Sequence, residues 1–287
     1  MMQLMSKLLI ISILSSLSLF AKTNISDQEK LERRLISYVK DAISVNPNFK
    51  LEKVKIRQSK PVEKLGGNWR IYFLDIDLIM TKQNNQKMTV FDKLFSNGDF
   101  IVKDFLDIVN KASLKDKTVP DMDPALYRRD HLLYGNFDAP NKIVAFSDPV
   151  CPFCISYMPK LIEAVKAHPD KIALFYYHFP LTMLHEEAPT IIKAALVAEK
   201  RGVKDVIEKV YKNKFELRTG NEDVILKAFN KAIGTRVTKN DIKQQDILKH
   251  YSEDLELAGK MMINGTPTIY VNGKKDFKRN QYKELIK

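Results

Sequence analysis

The chain has 287 residues, 45% of them hydrophobic and 29% charged. That balance excludes a low-complexity or globally disordered chain, and the length allows one large or two ordinary domains. The formal net charge is +12, but the lysines are scattered without interleaved aromatics, so no nucleic-acid partner is expected. The charge reads as a solvated basic surface, with weak attraction for acidic client proteins as the alternative. Only two cysteines occur, which excludes a disulfide framework.

Residues 1–21 read as a secretory signal. Lys7 supplies a positive start, Leu8 to Phe20 is an apolar run shorter than the roughly 20 residues of a membrane span, and Ala21 offers a small residue for cleavage. An uncleaved anchor is the alternative. On either reading the remainder is exported into a compartment where disulfides form.

Ser26 to Val45 predicts a helix, with Ser26 as cap, Glu29 three residues on, and Leu31, Leu35, Val39 and Ile43 on one face. Three strand-like runs follow: Leu51–Val62, Trp69–Thr81 and Lys87–Phe95, separated by turn-rich gaps. In the middle run Tyr72, Leu74, Ile76 and Leu78 form an apolar face, while Ile71, Phe73, Asp75 and Asp77 pass from apolar to acidic. This helix plus antiparallel sheet carries neither cysteine nor histidine and reads as a binding or self-association module. Phe100 to Ala112 predicts a helix from the spacing of Ile101, Phe105 and Ile108. A polar stretch from Ser113 and a short helix from Asp123-Pro124 to Arg129 place a domain boundary near residue 125.

In the second half, Lys142–Phe146, Ile172–Tyr177 and Thr268–Val271 predict buried strands. Between the last two lie amphipathic blocks at Pro189–Arg201, Lys204–Leu217, Glu222–Ile233 and Asp241–Met262, with Thr238 as the expected cap of the last. Asn272-Gly273 is a strong hairpin signal. Phe277 is expected to open the partner strand, and Gln281 to Ile286 to form a closing helix.

The chemistry sits at Phe146-Ser147-Asp148-Pro149-Val150-Cys151-Pro152-Phe153-Cys154. A strand ends, a turn follows, and two cysteines open a helix whose apolar stripe is Ile155, Met158, Leu161, Ile162 and Val165. Pro152 suits the first helical turn. The helix N-terminus favours a thiolate at Cys151, and Cys154, one turn on, is expected to be more buried and less ionised. Cys151 is then the attacking sulfur and Cys154 resolves the mixed disulfide. The rival readings are weak. Zinc needs about four ligands and no second cysteine pair exists, so no metal and no cofactor are expected. A structural disulfide this short closes almost no loop. Asp148 reads as a turn cap, and His178 and His185 as hydrogen-bonded structural groups. Base rates alone favour a trans Thr266–Pro267 bond.

This nonapeptide, followed much later by Gly265-Thr266-Pro267-Thr268, resembles the thioredoxin-fold disulfide oxidoreductases of the DsbA, DsbC and DsbG type. Leu133-Tyr134-Gly135-Asn136 looks like their first strand, and His178-Phe179-Pro180-Leu181 like the start of their helical insertion. The resemblance implies that Pro267 is cis and faces the cysteines, and that Pro152, Phe153, Thr266 and Pro267 shape the site around catalytic Cys151 and Cys154. By analogy of position it implies an α+β chain. A dimerisation domain at 22–112 is followed by a linker at 113–131 and a thioredoxin-like domain at 132–287, with a helical insertion at about 182–262. The implied protein is a periplasmic, homodimeric disulfide isomerase or reductase. Its partners are exported client proteins with cysteines and a DsbD-like membrane reductant. The alternatives are a dimeric oxidase recharged by a DsbB-like partner and a holdase chaperone. Phe153 departs from the histidine common in the oxidases. It cannot donate a side-chain hydrogen bond, so a less stabilised thiolate than theirs is expected.

Overall fold

The computed structural model describes residues 27–82 and 85–287, so the expected signal segment and the Ser26 cap lie outside the described residues. These residues form an α+β chain that divides into two compact units at Thr118/Val119.

The first unit opens with a helix over residues 27–44 (α1). The strands β1 (Phe49–Pro61), β2 (Arg70–Met80), β3 (Gln86–Ser96) and β4 (Ile101–Val102) follow, paired antiparallel in that order. The sheet's period of two explains its layering. Tyr72, Leu74, Ile76 and Leu78 of β2 form one core with Leu35 and Val39 of α1. On the opposite face Ile71, Phe73 and Phe95 are buried, and Phe105 meets both Phe95 and Trp69 edge-on. The acidic half of that face is partnered locally. Arg57 donates to Asp75 at 2.8 Å and Thr89 donates to Asp77 at 2.8 Å.

Residues 100–112 correct the expected helix. They form β4, β5 (Leu106–Asp107) and the start of β6 (Ala112–Ser113), with β5 and β6 paired as a hairpin. The cause is local side-chain competition for the backbone. Asn97 accepts from the amides of Asp99 and Phe100, and Asp107 from those of Val109 and Asn110. Asp104 accepts from those of Phe105 and Lys115. Lys111 then takes a positive φ. As a result Leu106, Ile108 and Val109 point to solvent instead of lining a helix face. A single helical turn, α2 (Leu114–Lys117), follows, its first amides capped by Ser113.

The second unit begins with two 3-10 turns, Pro124–Leu126 and Arg129–His131. Its elements are β7 (Leu132–Tyr134), β8 (Asn141–Ser147), α3 (Pro152–Ala167) and β9 (Ile172–His178), then α4 (Ala188–Lys200), α5 (Val206–Asn213), α6 (Glu222–Ile233) and α7 (Gln245–Lys260). The chain closes with β10 (Thr268–Val271), β11 (Lys274–Lys275) and α8 (Tyr282–Leu285). The sheet order is β11-β10-β8-β9-β7, with β8 and β9 parallel and the other pairs antiparallel.

Being central, β8 is buried on both faces, which is why it reads as a continuous apolar run. Ile143 and Ala145 belong to the core built with α3 to α6. Val144 and Phe146 belong to a second core that includes Ala258 and Met261 from the α7 end. Asn272 and Gly273 both take positive φ between β10 and β11, as a two-residue hairpin of this type requires.

Two expected boundaries are corrected by the structure. β11 ends at Lys275, because Asp276 gathers the amides of Lys278, Arg279 and Gln281 and leaves Phe277 in an exposed loop. Thr238 accepts from the Asp241 amide at the separate turn Asp241–Lys243 and does not cap α7, whose N-cap is Gln244.

Gly135, at the end of β7, has φ +84°, and a Cβ there would sit 1.9 Å from the Ile172 carbonyl oxygen. Gly135→Ala is therefore expected to cost about 3 kcal/mol or more. In thermal unfolding this is a fall of roughly 6–12 °C, while Gly220→Ala, with only the Glu186 side chain nearby, stays within about 2 °C.

Candidate active site

The turn after β8 fixes where the cysteines start. Asp148 is fully buried, and its Oδ1 accepts from the Val150 amide at 2.9 Å. The Cys151 amide donates to the Asp148 carbonyl at 3.3 Å. Cys151 is thereby set as the N-cap of α3, Pro152 takes the first helical position, and the Cys151 carbonyl accepts the first helical bond, from Ile155. The capping role read for Asp148 is present, but it is only part of what the residue does. Its Oδ2 also accepts from the Leu181 amide at 2.8 Å and from His185 Nδ1 at 2.7 Å. One carboxylate thus ties the cysteine turn to the segment after β9. His185 is the hydrogen-bonded group expected of it. His178 differs: its backbone amide donates to Asp254, but its Nδ1 is buried without a partner.

Cys151 is 3% exposed and Cys154 fully buried, both as free thiols. Cys151 Sγ lies 3.8 Å from the Thr266 carbonyl oxygen, and the Thr266–Pro267 peptide is cis. The structure therefore brings Cys151, Cys154 and Thr266 together, 115 residues apart in sequence at the Cys151–Thr266 contact. Phe153 points away and is 70% exposed.

The two thiols are driven in opposite directions. Cys151 is lowered to about 5, chiefly because the Cys154 thiol donates to its sulfur. The amides of Cys154 and Phe153 and the Thr266 hydroxyl add to this, and burial opposes it. Thr266 Oγ1 is itself buried without a conventional partner. Cys154 is pushed far above the ordinary thiol range, first by burial and then by its bond to Cys151. Phe153 thus contributes through its backbone, not its ring.

Beneath Cys154 lies a hydroxyl trio that the sequence did not reveal. Ser147 Oγ bonds Tyr211 Oη at 2.7 Å, and Tyr211 Oη bonds Tyr176 Oη at 2.8 Å. Burial pushes both phenols well above their ordinary range, so the trio stays neutral. Beside Pro152 a groove of about 810 Å³ opens, walled by Ile155, Met183, Leu184 and Phe215. Met183 is 94% exposed on its rim.

The reduced protein should show a Cys151 thiolate that disappears as pH falls through a midpoint near 5, followed by alkylation rate. Cys154→Ala removes the main donor and should move that midpoint up. Because the folded value lies below the ordinary 9.0, the thiolate stabilises the reduced fold fully above about pH 9 and loses this as pH falls to about 5. A midpoint at the ordinary thiol value would mean that neither the Cys154 thiol nor the first-turn amides of α3 stabilise the charge.

The thioredoxin family model matches residues 128–287, just over half of the chain. A sodium/proton antiporter NhaA 1 of Mycolicibacterium gilvum is 30% identical over 184 residues, 61% of this chain. This chain spans only 28% of that antiporter, and among the described residues no helix is long and apolar enough to cross a membrane. A probable disulfide bond formation protein D of Bacillus cereus is 26% identical over 149 residues, 48% of this chain and 68% of that protein. Among solved structures, a thioredoxin-like oxidoreductase from Silicibacter pomeroyi is 23% identical. It covers 55% of this chain and 95% of its own, with a TM-score of 0.44. Since the matched stretch runs from before β7 through both cysteines and Pro267 to the last residue, this chain belongs to the thioredoxin family.

Proposed function

We propose that this chain is a periplasmic thiol–disulfide oxidoreductase acting on exported proteins, as a homodimeric disulfide isomerase or reductase. The observation that carries the thiol-exchange chemistry is the Cys151 sulfur, acidic at the start of α3, with a protonated thiol buried three residues on; the preference for isomerase or reductase rests on the added first unit and on Thr266. The Cys151 thiolate attacks a client disulfide; a Cys151–client disulfide forms and a client thiolate leaves. In isomerisation another client thiolate displaces Cys151, which returns to its starting state. In reduction Cys154 loses its proton and attacks the Cys151 sulfur. The second client thiolate leaves and the Cys151–Cys154 disulfide remains, to be reduced by a DsbD-like membrane donor. The groove beside Pro152, with Met183 and Leu184 exposed on its rim and Glu186, Glu216 and Arg218 also lining it, suits client segments of mixed apolar and charged character. The first unit is the dimerisation module, and residues 1–21 direct export.

A dimeric oxidase is the second reading, and the acidity of Cys151 favours it. A stabilised thiolate stabilises the reduced form and makes the couple more oxidising. Reference thiols stand at about 7 in thioredoxin and about 3.5 in the strong oxidase DsbA, so a value of about 5 falls between them. Such an enzyme would be reoxidised by a DsbB-like partner.

Ribonuclease recovery separates the two. With catalytic protein in a glutathione buffer, rescue of the scrambled enzyme with little effect on the reduced one is expected. Fast recovery of the reduced enzyme alone would install the oxidase reading, and Cys151→Ser should abolish either activity. A chain beginning at Val119 should sediment as a monomer, keep simple thiol exchange and lose isomerisation. A dimeric truncated chain would overturn the dimerisation role of the first unit.

A further inference from the structure

Away from the cysteines, the second unit gathers three histidines that the sequence keeps apart. His131 ends the 3-10 turn Arg129–His131, His178 ends β9, and His250 lies on α7 one turn before Asp254. A cavity of about 230 Å³ is lined by His131, His178, His250, Asp130 and Glu199, among others. Donor atoms of His131, His250 and Asp254 all lie within 4.8 Å of one another. His131 Nε2 is 2.7 Å from Asp254 Oδ1, and His250 Nε2 is 3.9 Å from the same oxygen.

We propose that His131, His250 and Asp254 form a binding site for a divalent transition-metal ion of the Zn2+ class. Two imidazoles and a carboxylate are the donor set such an ion takes when one position is left open. Around a tetrahedral ion, ligands at about 2.0–2.1 Å stand roughly 3.3 Å from each other. The observed 2.7 and 3.9 Å bracket that spacing and the third pair, His131 to His250, lies within 4.8 Å, so closure needs His131 to retreat from Asp254 and His250 to advance, by shifts of up to about 1.5 Å. The second ring nitrogen of His131 is already matched to a carboxylate, Nδ1 to Asp130 Oδ1 at 3.1 Å. That is the arrangement which orients a metal-bound imidazole and leaves Nε2 for the ion. Asp254 is held in the same way: the His178 amide occupies Oδ2 at 2.9 Å, and Oδ1 faces the two rings.

Two independent features point the same way. His178 also lines this cavity, outside the three-donor cluster, and its Nδ1 is buried with no hydrogen-bond partner. A buried ring nitrogen of that kind calls for an unseen water or ion. The site also has an access route, because the His250 side chain is 33% exposed while those of His131 and Asp254 are buried. The competing account is a plain buried ion pair between His131 and its two aspartates. In that account His250 is a bystander, so His250 is the residue that discriminates.

The experiment uses the full chain with Cys151 and Cys154 oxidised to their disulfide, so that no thiolate competes. The protein is stripped with a chelator and titrated with Zn2+ by calorimetry, and its melting temperature is followed with and without the ion. One Zn2+ per chain is expected, with a rise in melting temperature. His250→Ala should weaken binding at least tenfold and abolish the rise, while leaving the circular dichroism spectrum unchanged. His168→Ala, whose ring bonds the Ala164 carbonyl on α3 instead, should change neither. Absence of stoichiometric binding by the oxidised chain, or binding that survives His250→Ala, would overturn the assignment in favour of the ion pair. Thiol exchange is not part of the readout, so a negative result leaves the proposed activity standing.

Discussion

A negatively charged sulfur inside a dry site is expensive unless donors reach it, and the second unit is arranged around supplying them. The donors come from the first turn of α3 and from Cys154. They are aimed correctly only if the helix begins at Cys151. That start depends on Asp148, whose two oxygens collect the Val150 amide, the Leu181 amide and the His185 ring. A buried carboxylate satisfied on both oxygens is tolerated where an unpaired one would not be. The cost of burying Asp148 is thus offset by holding three groups on two segments at once. The groove beside Pro152 inherits its shape from the same tie, because Met183, Leu184 and His185 follow directly on Leu181.

The inner sulfur has a different setting. Cys154 faces neutral hydroxyls, Ser147 with Tyr211 and Tyr176 behind it, with no carboxylate among its direct hydrogen-bond partners. Hydroxyls can donate to a thiolate or accept from a thiol by rotating, without taking on charge. The pair is therefore asymmetric by construction: one sulfur is charged and near the surface, the other protonated and enclosed. This asymmetry suits an enzyme that must hold one thiol back until a mixed disulfide exists.

Much of this was legible from residue patterns. β8 and β9 are apolar, β-branched runs because both faces of a central strand are covered, and α1 shows its buried face in the spacing of Leu35 and Val39. The cysteine pair and its order of acidity followed from helix polarity and the expected burial of Cys154, though the structure gives the largest share at Cys151 to the Cys154 thiol. The cis Thr266–Pro267 bond did not; it came only with the resemblance. The segment from Phe100 to Ala112 misled because its apolar spacing was helical, while Asn97, Asp104 and Asp107 were capturing the amides a helix needs. Asp276 ended β11 before Phe277 by the same kind of capture. The hydroxyl trio and the cluster around Asp254 were invisible for another reason. Their members are joined only by the folded topology, as His131 and Asp254 are across 123 positions, and no local period announces them.

The long separation between Cys151 and Thr266 also sets a clock. As the chain is made from its N-terminus, β7, β8, α3 and β9 are complete while the strand that will flank β8 on its other side does not yet exist. Closing so long a loop is thermodynamically mild, since each doubling of its length adds only about 0.6 kcal/mol, but it cannot happen until β10 has been made. Until Thr268 pairs with Phe146, the Thr266 wall is missing and Cys151 lacks that part of its surroundings. The full setting of Cys151 is thus complete only once β10 has been made. A nascent chain held before that point would carry its cysteines without the wall that Thr266 supplies.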